Sequence, residues 1–180
     1  MRRAVLTLTI FLSLLSIYGF APLQQSDAIA IINRANQPTS QITDGDTIKL
    51  QVTLSQSVTQ QENITFTLGD QSAPVGTCVI QNGNTTCTTE AFAALGWHWS
   101  ANGIVQNTRV VQAIKTNGEL IASSNQITVA PRPVVMVHGF ISYWETWKPY
   151  LSETGFLAPL GISGFAVGDG QVPGKLNTGD

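Results

Sequence analysis

Between residues 28 and 130, apolar and polar side chains alternate with a period of two. Ile48, Leu50, Val52 and Leu54 alternate with Thr47, Lys49, Gln51 and Thr53, and Ile64, Phe66 and Leu68 with Thr65 and Thr67. Further on, Val111 and Ala113 alternate with Val110 and Gln112, and Ile127 and Val129 with Thr128. Successive side chains of a strand point to opposite faces, so each run predicts a strand with one face in a core and one toward water. Turn formers separate the runs: Asp44-Gly45-Asp46, Gly69-Asp70, Asn82-Gly83 and Asn117-Gly118. Residues 91–95 read as a single helical turn between strands. Short strands at this spacing predict a mainly β fold, with an antiparallel β-sandwich of the immunoglobulin-like kind over 29–130.

After Pro131-Arg132-Pro133 the pattern changes. Val134, Val135, Met136 and Val137 form a solid apolar run, which reads as a strand over 133–138 buried on both faces, as in a parallel sheet. A loop over 139–142 follows, then a helix over 143–151 with Trp144, Trp147 and Leu151 on one face and Glu145 and Lys148 toward solvent. Pro149 falls inside that helix and must kink or shorten it. A second short strand over 165–168 ends in Asp169-Gly170. Strand, loop, helix and strand make one βαβ unit, which implies parallel strands and a right-handed crossover.

The two cysteines refine the sandwich. Asn-Gly favours a two-residue type I′ hairpin turn. Placing the turn at Asn82-Gly83 sets Cys78 opposite Cys87 at a non-hydrogen-bonded position, where Cα atoms lie about 4.5 Å apart. That is within the roughly 4.4–6.8 Å that a disulfide spans. The expectation is a Cys78–Cys87 bridge stapling one hairpin, its short loop adding little to global stability.

Composition narrows the setting. Charged residues make up 11% of the 180 residues, against about 25% in an average soluble protein. The net charge is −2, with no basic run, so a nucleic-acid partner is excluded. Arg2-Arg3 precede a mostly apolar span over 4–20, softened by Thr7, Thr9, Ser13, Ser16 and Gly19. That span exceeds the usual h-region of roughly 7–15 residues and approaches the ~18 of a membrane helix. Its polar residues favour a cleaved signal peptide, assigned to 1–28, over an anchor. Small residues suited to cleavage occur at both Ser26-Asp27-Ala28 and Ala28-Ile29-Ala30. The expected location is outside the cell or in its envelope, an oxidising setting that suits the disulfide.

In Gly96-Trp97-His98-Trp99-Ser100 the two tryptophans would share one face of a strand. They read first as filling the core or a seam between domains, and second as a stacking platform for a sugar. His98 has no second histidine or cysteine at metal-ligand spacing, so neither metal nor cofactor is implied. Two N-glycosylation acceptor patterns, at Asn63 and Asn84, carry no weight in a chain so rich in Thr and Asn.

"PVVMVHGF", Pro133 to Phe140, followed by a tryptophan-bearing helix and a strand ending in Asp-Gly, resembles the opening of an α/β-hydrolase of the bacterial lipase or esterase type. The resemblance covers 131–180, about a quarter of the chain. It implies that the loop after the first strand supplies one backbone N–H of the oxyanion hole. Carried over, that donor is the amide of Phe140. Gly139 lets the backbone approach the substrate carbonyl, and His138 orients the loop. An immunoglobulin-like domain ahead of such a hydrolase also resembles exported bacterial lipase-like proteins.

The same family places its nucleophile in G-x-S-x-G on a turn after a later strand, with triad order Ser, Asp or Glu, His. The closest approach here is Gly161-Ile162-Ser163-Gly164-Phe165, which departs from the pattern and precedes a strand. The histidines are His98 and His138, both upstream of any such elbow. The expectation is therefore the front of an exported ester hydrolase, 131–180 being an incomplete α/β-hydrolase domain, inactive alone. Its full-length relatives act on lipid or ester substrates, and the exposed sheet edge implies self-association. A second reading, from another class, is a secreted binding or adhesion module working through Trp97 and Trp99.

Overall fold

A computed structural model of the chain describes residues 26–139 and 142–167. The expected signal peptide up to residue 25, Phe140, the Asp169-Gly170 strand end and the remaining C-terminal residues lie outside the described residues. The fold is mainly β. Its first six strands are β1 (Ala28–Ile32), β2 (Pro38–Thr39), β3 (Gln41–Thr43), β4 (Thr47–Thr53), β5 (Glu62–Leu68) and β6 (Pro74–Ile80). Six more follow: β7 (Thr86–Thr88), β8 (Phe92–Ala93), β9 (Thr108–Arg109), β10 (Val111–Lys115), β11 (Leu120–Ser123) and β12 (Ile127–Ala130).

These strands form three sheets. One runs β2-β1-β4-β7, with β8 also on β4; a second runs β11-β10-β5-β6; a third runs β3-β12-β9. Pairing is antiparallel except for β3 with β12. Alternation becomes burial as expected. In β4, Ile48, Leu50 and Val52 are buried while Thr47 is exposed and Lys49 and Gln51 half-buried. Ile64, Phe66 and Leu68 of β5, Val111 and Ala113 of β10, and Ile127 and Val129 of β12 join them in one core. Each such side chain taken from water contributes about 1.5–3 kcal/mol. Ala28, at the end of the expected signal peptide, pairs with Thr53 in this framework, and Asp27 accepts the Ser55 N–H at 2.7 Å.

Two local expectations are corrected. Residues 91–95 hold no helical turn: Phe92 and Ala93 form β8, paired with Ile48 and Thr47. The Ala94 N–H bonds to Asp46 O at 2.9 Å, so the neighbouring β3–β4 turn satisfies this backbone instead of an internal turn. The cysteine hairpin is also absent. Gly83 has φ +81 while Asn82 does not have positive φ, the sign pattern of a type II turn and not type I′. β6 departs to pair with β5, Cys78 opposite Ile64, and β7 pairs with β4, Cys87 opposite Val52. The Cys78–Cys87 disulfide is present, with Cα atoms 5.8 Å apart, but it ties two sheets together across the core.

Beyond these three sheets, β13 (Val134–Met136) and β14 (Gly164–Ala166) pair in parallel, Val134 opposite Gly164 and Met136 opposite Ala166. A 3-10 turn (Trp144–Trp147), a four-residue α-helix (Lys148–Leu151) and a second 3-10 turn (Ala158–Leu160) connect them. The single helix expected over 143–151 is thus broken. Pro149 lies in the first turn of the α-helix, where its missing N–H costs nothing. Trp144, Trp147 and Leu151 are the half-buried positions, and Glu145 and Lys148 are exposed, as their spacing predicts.

The first parallel strand is not buried on both faces. Val135 is 65% exposed and Val137 64%, while Val134 and Met136 are half-buried. A Cβ at Gly164 would collide with Leu151 and Leu157, so the helical connection packs on the Val134, Met136, Gly164 and Ala166 face. Only that face is covered by the described residues.

Candidate functional site

Where residues 131–133 meet the preceding sheets, Asp44 organises the contact. Its Oδ1 accepts the Gly96 N–H at 2.8 Å, and its Oδ2 the His98 N–H at 3.4 Å. Arg132 crosses from the linker, donating from Nε to Asp44 O at 2.9 Å and from Nη2 to Oδ1 at 3.4 Å. Gly45, at φ +88, leaves the space that this guanidinium occupies. A cavity of about 400 Å³ lies here, lined by Asp44, Gly96, Trp99, Pro131, Arg132, Pro133, Val134 and Ile162. Val134 opens β13 and Ile162 precedes β14, so the cavity sits at the amino ends of the parallel pair. Ligand sites of parallel sheets form at the carboxyl ends.

At that carboxyl end the chain runs Val137, His138, Gly139. The Val167 N–H bonds to Met136 O at 3.0 Å, extending the ladder toward the loop. The Gly139 carbonyl has two partners: Nδ1 of His138 at 3.1 Å and the Ser142 N–H at 3.2 Å. Among the described residues, chain neighbours aside, no atom lies within 4 Å of where a Gly139 Cβ would stand. Ser142 Oγ meets Thr146 Oγ1 at 3.0 Å, fastening the loop to the helical turn. The strand expected over 133–138 ends at Met136, so His138 and Gly139 lie in the loop after it, and the expected donor Phe140 lies outside the described residues. His138 engages a carbonyl, not the carboxylate that orients a triad histidine.

The serine of the nearest elbow-like run is at the wrong end. Gly161 turns the chain at φ +66 after the second 3-10 turn, and Ser163 O accepts the Val134 N–H at 2.9 Å, before β14 begins. Ser163 is thus level with the residue before Val134, about five residues short of His138, or roughly 16 Å along a strand. The two side chains cannot act together.

Trp97 and His98 lie in a turn and Trp99 forms an isolated antiparallel bridge with Val105, so the run is not a continuous strand and presents no open platform. Trp97 is buried against Phe92, with ring centroids 6.1 Å apart, and Trp99 is half-buried at the linker cavity. His98 is fully buried, its Nδ1 3.1 Å from Val129 O, and Nε2 has no hydrogen-bond partner. Among the described residues there is no group of three His, Cys, Asp or Glu that would hold a metal ion.

The sequence reading missed Arg109 as the residue that fixes this turn. Its side chain is buried, and Nη1 meets both Asp70 carboxylate oxygens at 2.6 Å. Nε donates to Trp97 O at 2.6 Å and Nη2 to Trp99 O. Arg109 therefore holds the carbonyls of the turn while Asp44 holds its amides. The available signal was scarcity: in a chain with 9 Lys and Arg, Arg109 sits directly before the apolar pair Val110-Val111. Asp44 and Asp70 read only as turn formers.

No protein-family model matches the chain, and no curated protein matches it. The disulfide is of a kind that persists in oxidising compartments.

Proposed function

We propose that this chain is part of an exported ester hydrolase, with an immunoglobulin-like sandwich ahead of the opening βαβ unit of an α/β-hydrolase domain. The observation that carries the reading is the parallel pairing of β13 with β14 through a helical connection, with His138-Gly139 at the carboxyl end of β13. That end is where such sheets assemble their sites. The antiparallel sheets sharing one core, bridged by a disulfide, support the sandwich assignment. The bridge joins the consecutive strands β6 and β7, so it is not the B–F bridge of antibody domains.

In this reading the loop after β13 contributes to binding the oxyanion formed when a serine attacks the ester carbonyl. The oxyanion donor in this reading is the amide of Phe140, which lies outside the described residues. His138 acts as a positioning residue in this arrangement. One such donor is worth about 10²–10³ in rate. The 180 residues contain no G-x-S-x-G, and their two histidines are engaged by Val129 O and Gly139 O. They form no triad by themselves.

The test compares this 180-residue chain with the product of the full open reading frame, each exposed to a serine-directed fluorophosphonate and to p-nitrophenyl esters. The longer product should label and turn over ester, and the 180-residue chain should do neither. Labelling of the 180-residue chain, or a reading frame with no G-x-S-x-G after residue 180, overturns the proposal.

A further inference from the structure

We draw no further inference here: the strongest candidate, the bare apolar face of the parallel strand pair carried by Val135, Val137 and Phe165, has nothing in the structure to show what covers it.

Discussion

Arg109 is the most informative side chain to remove. Replacing it with Met keeps most of the apolar stem but leaves the carbonyls of Trp97 and Trp99 without their guanidinium donors. A buried group left unpaired costs about 1–3 kcal/mol, and Trp99 is only half-buried, so the sum is about 2–4 kcal/mol. Asp70 adds little to the loss, because its side chain is 43% exposed and water can replace the guanidinium. In a β domain of about 100 residues the change corresponds to a fall in Tm of roughly 8–30 °C. Two companions separate geometry from charge. Arg109→Lys keeps the charge but offers no planar fork, and should recover less than half of the loss. Asp70→Asn leaves the carbonyl bonds intact and should cost about 1 kcal/mol. Urea unfolding followed by tryptophan emission reads the turn once Trp144 and Trp147 are changed to Phe, since Trp97 and Trp99 then remain. The reasoning fails if Arg109→Met unfolds within ~0.5 kcal/mol of the parent, or if Lys restores full stability.

Changing Cys78 and Cys87 together to Ala removes a bridge of sequence separation 9, for which chain-entropy arithmetic gives about 2.6 kcal/mol. That is more than a decorative staple supplies, and two free thiols in non-reducing mass spectrometry of exported protein would remove its basis. Gly45→Ala places a Cβ at φ +88 where Arg132 lies; the conformation alone costs about 1–2 kcal/mol, and the guanidinium must swing away. Amide exchange should then quicken in β13 and β14 while β4, β5 and β10 keep their protection; unchanged exchange in the parallel pair would show that Arg132 does not hold the linker. Glu119 titrates below its ordinary value of 4.5, first because the Lys115 ammonium hydrogen-bonds to it, then because of Asn117 and the Lys115 charge. A lowered carboxylate gives stability that is present above the unfolded value and lost as pH falls through the folded one. Glu119→Gln should therefore lessen the fall in stability below pH ~4.5, and an NMR titration finding Glu119 at or above the other glutamates contradicts this.

The long strands were legible because each has one face in the core, so period two survives over β4 and β5, seven residues each. A two-residue strand such as β8 cannot display a period; its identity comes from Ile48 and Thr47 across the sheet. The cysteines were paired rightly from a wrong neighbourhood. Local turn chemistry assigned β6 and β7 to each other, whereas β6 found its longer ladder on β5. The inward-facing parity of Cys78 and Cys87, buried at 9% and 8%, still made them meet, now across the core between sheets. The ion pair of Arg109 and the carboxylate of Asp44 left no periodic trace, since each is a single polar residue whose partner is distant in the chain.

The candidate site divides along the same physical line. The His138-Gly139 position followed from where an apolar run ends, a local feature. The covering of that run is not local, and the expectation of two buried faces borrowed it from the way parallel sheets are built. Burial measures the difference. Among the described residues after Ala130, the one fully buried apolar side chain is Ala166, and the hydrophobic core cluster contains none of them. The segment therefore has little core of its own. Its order rests on Leu151 and Leu157 against Gly164, on the three-residue parallel ladder, and on the Arg132 bonds to Asp44. Two three-residue strands are marginal by themselves and depend on the helical connection packed against their covered face. The Arg132 bonds to Asp44 fasten this segment to the strands before it, at the end of β13 opposite His138.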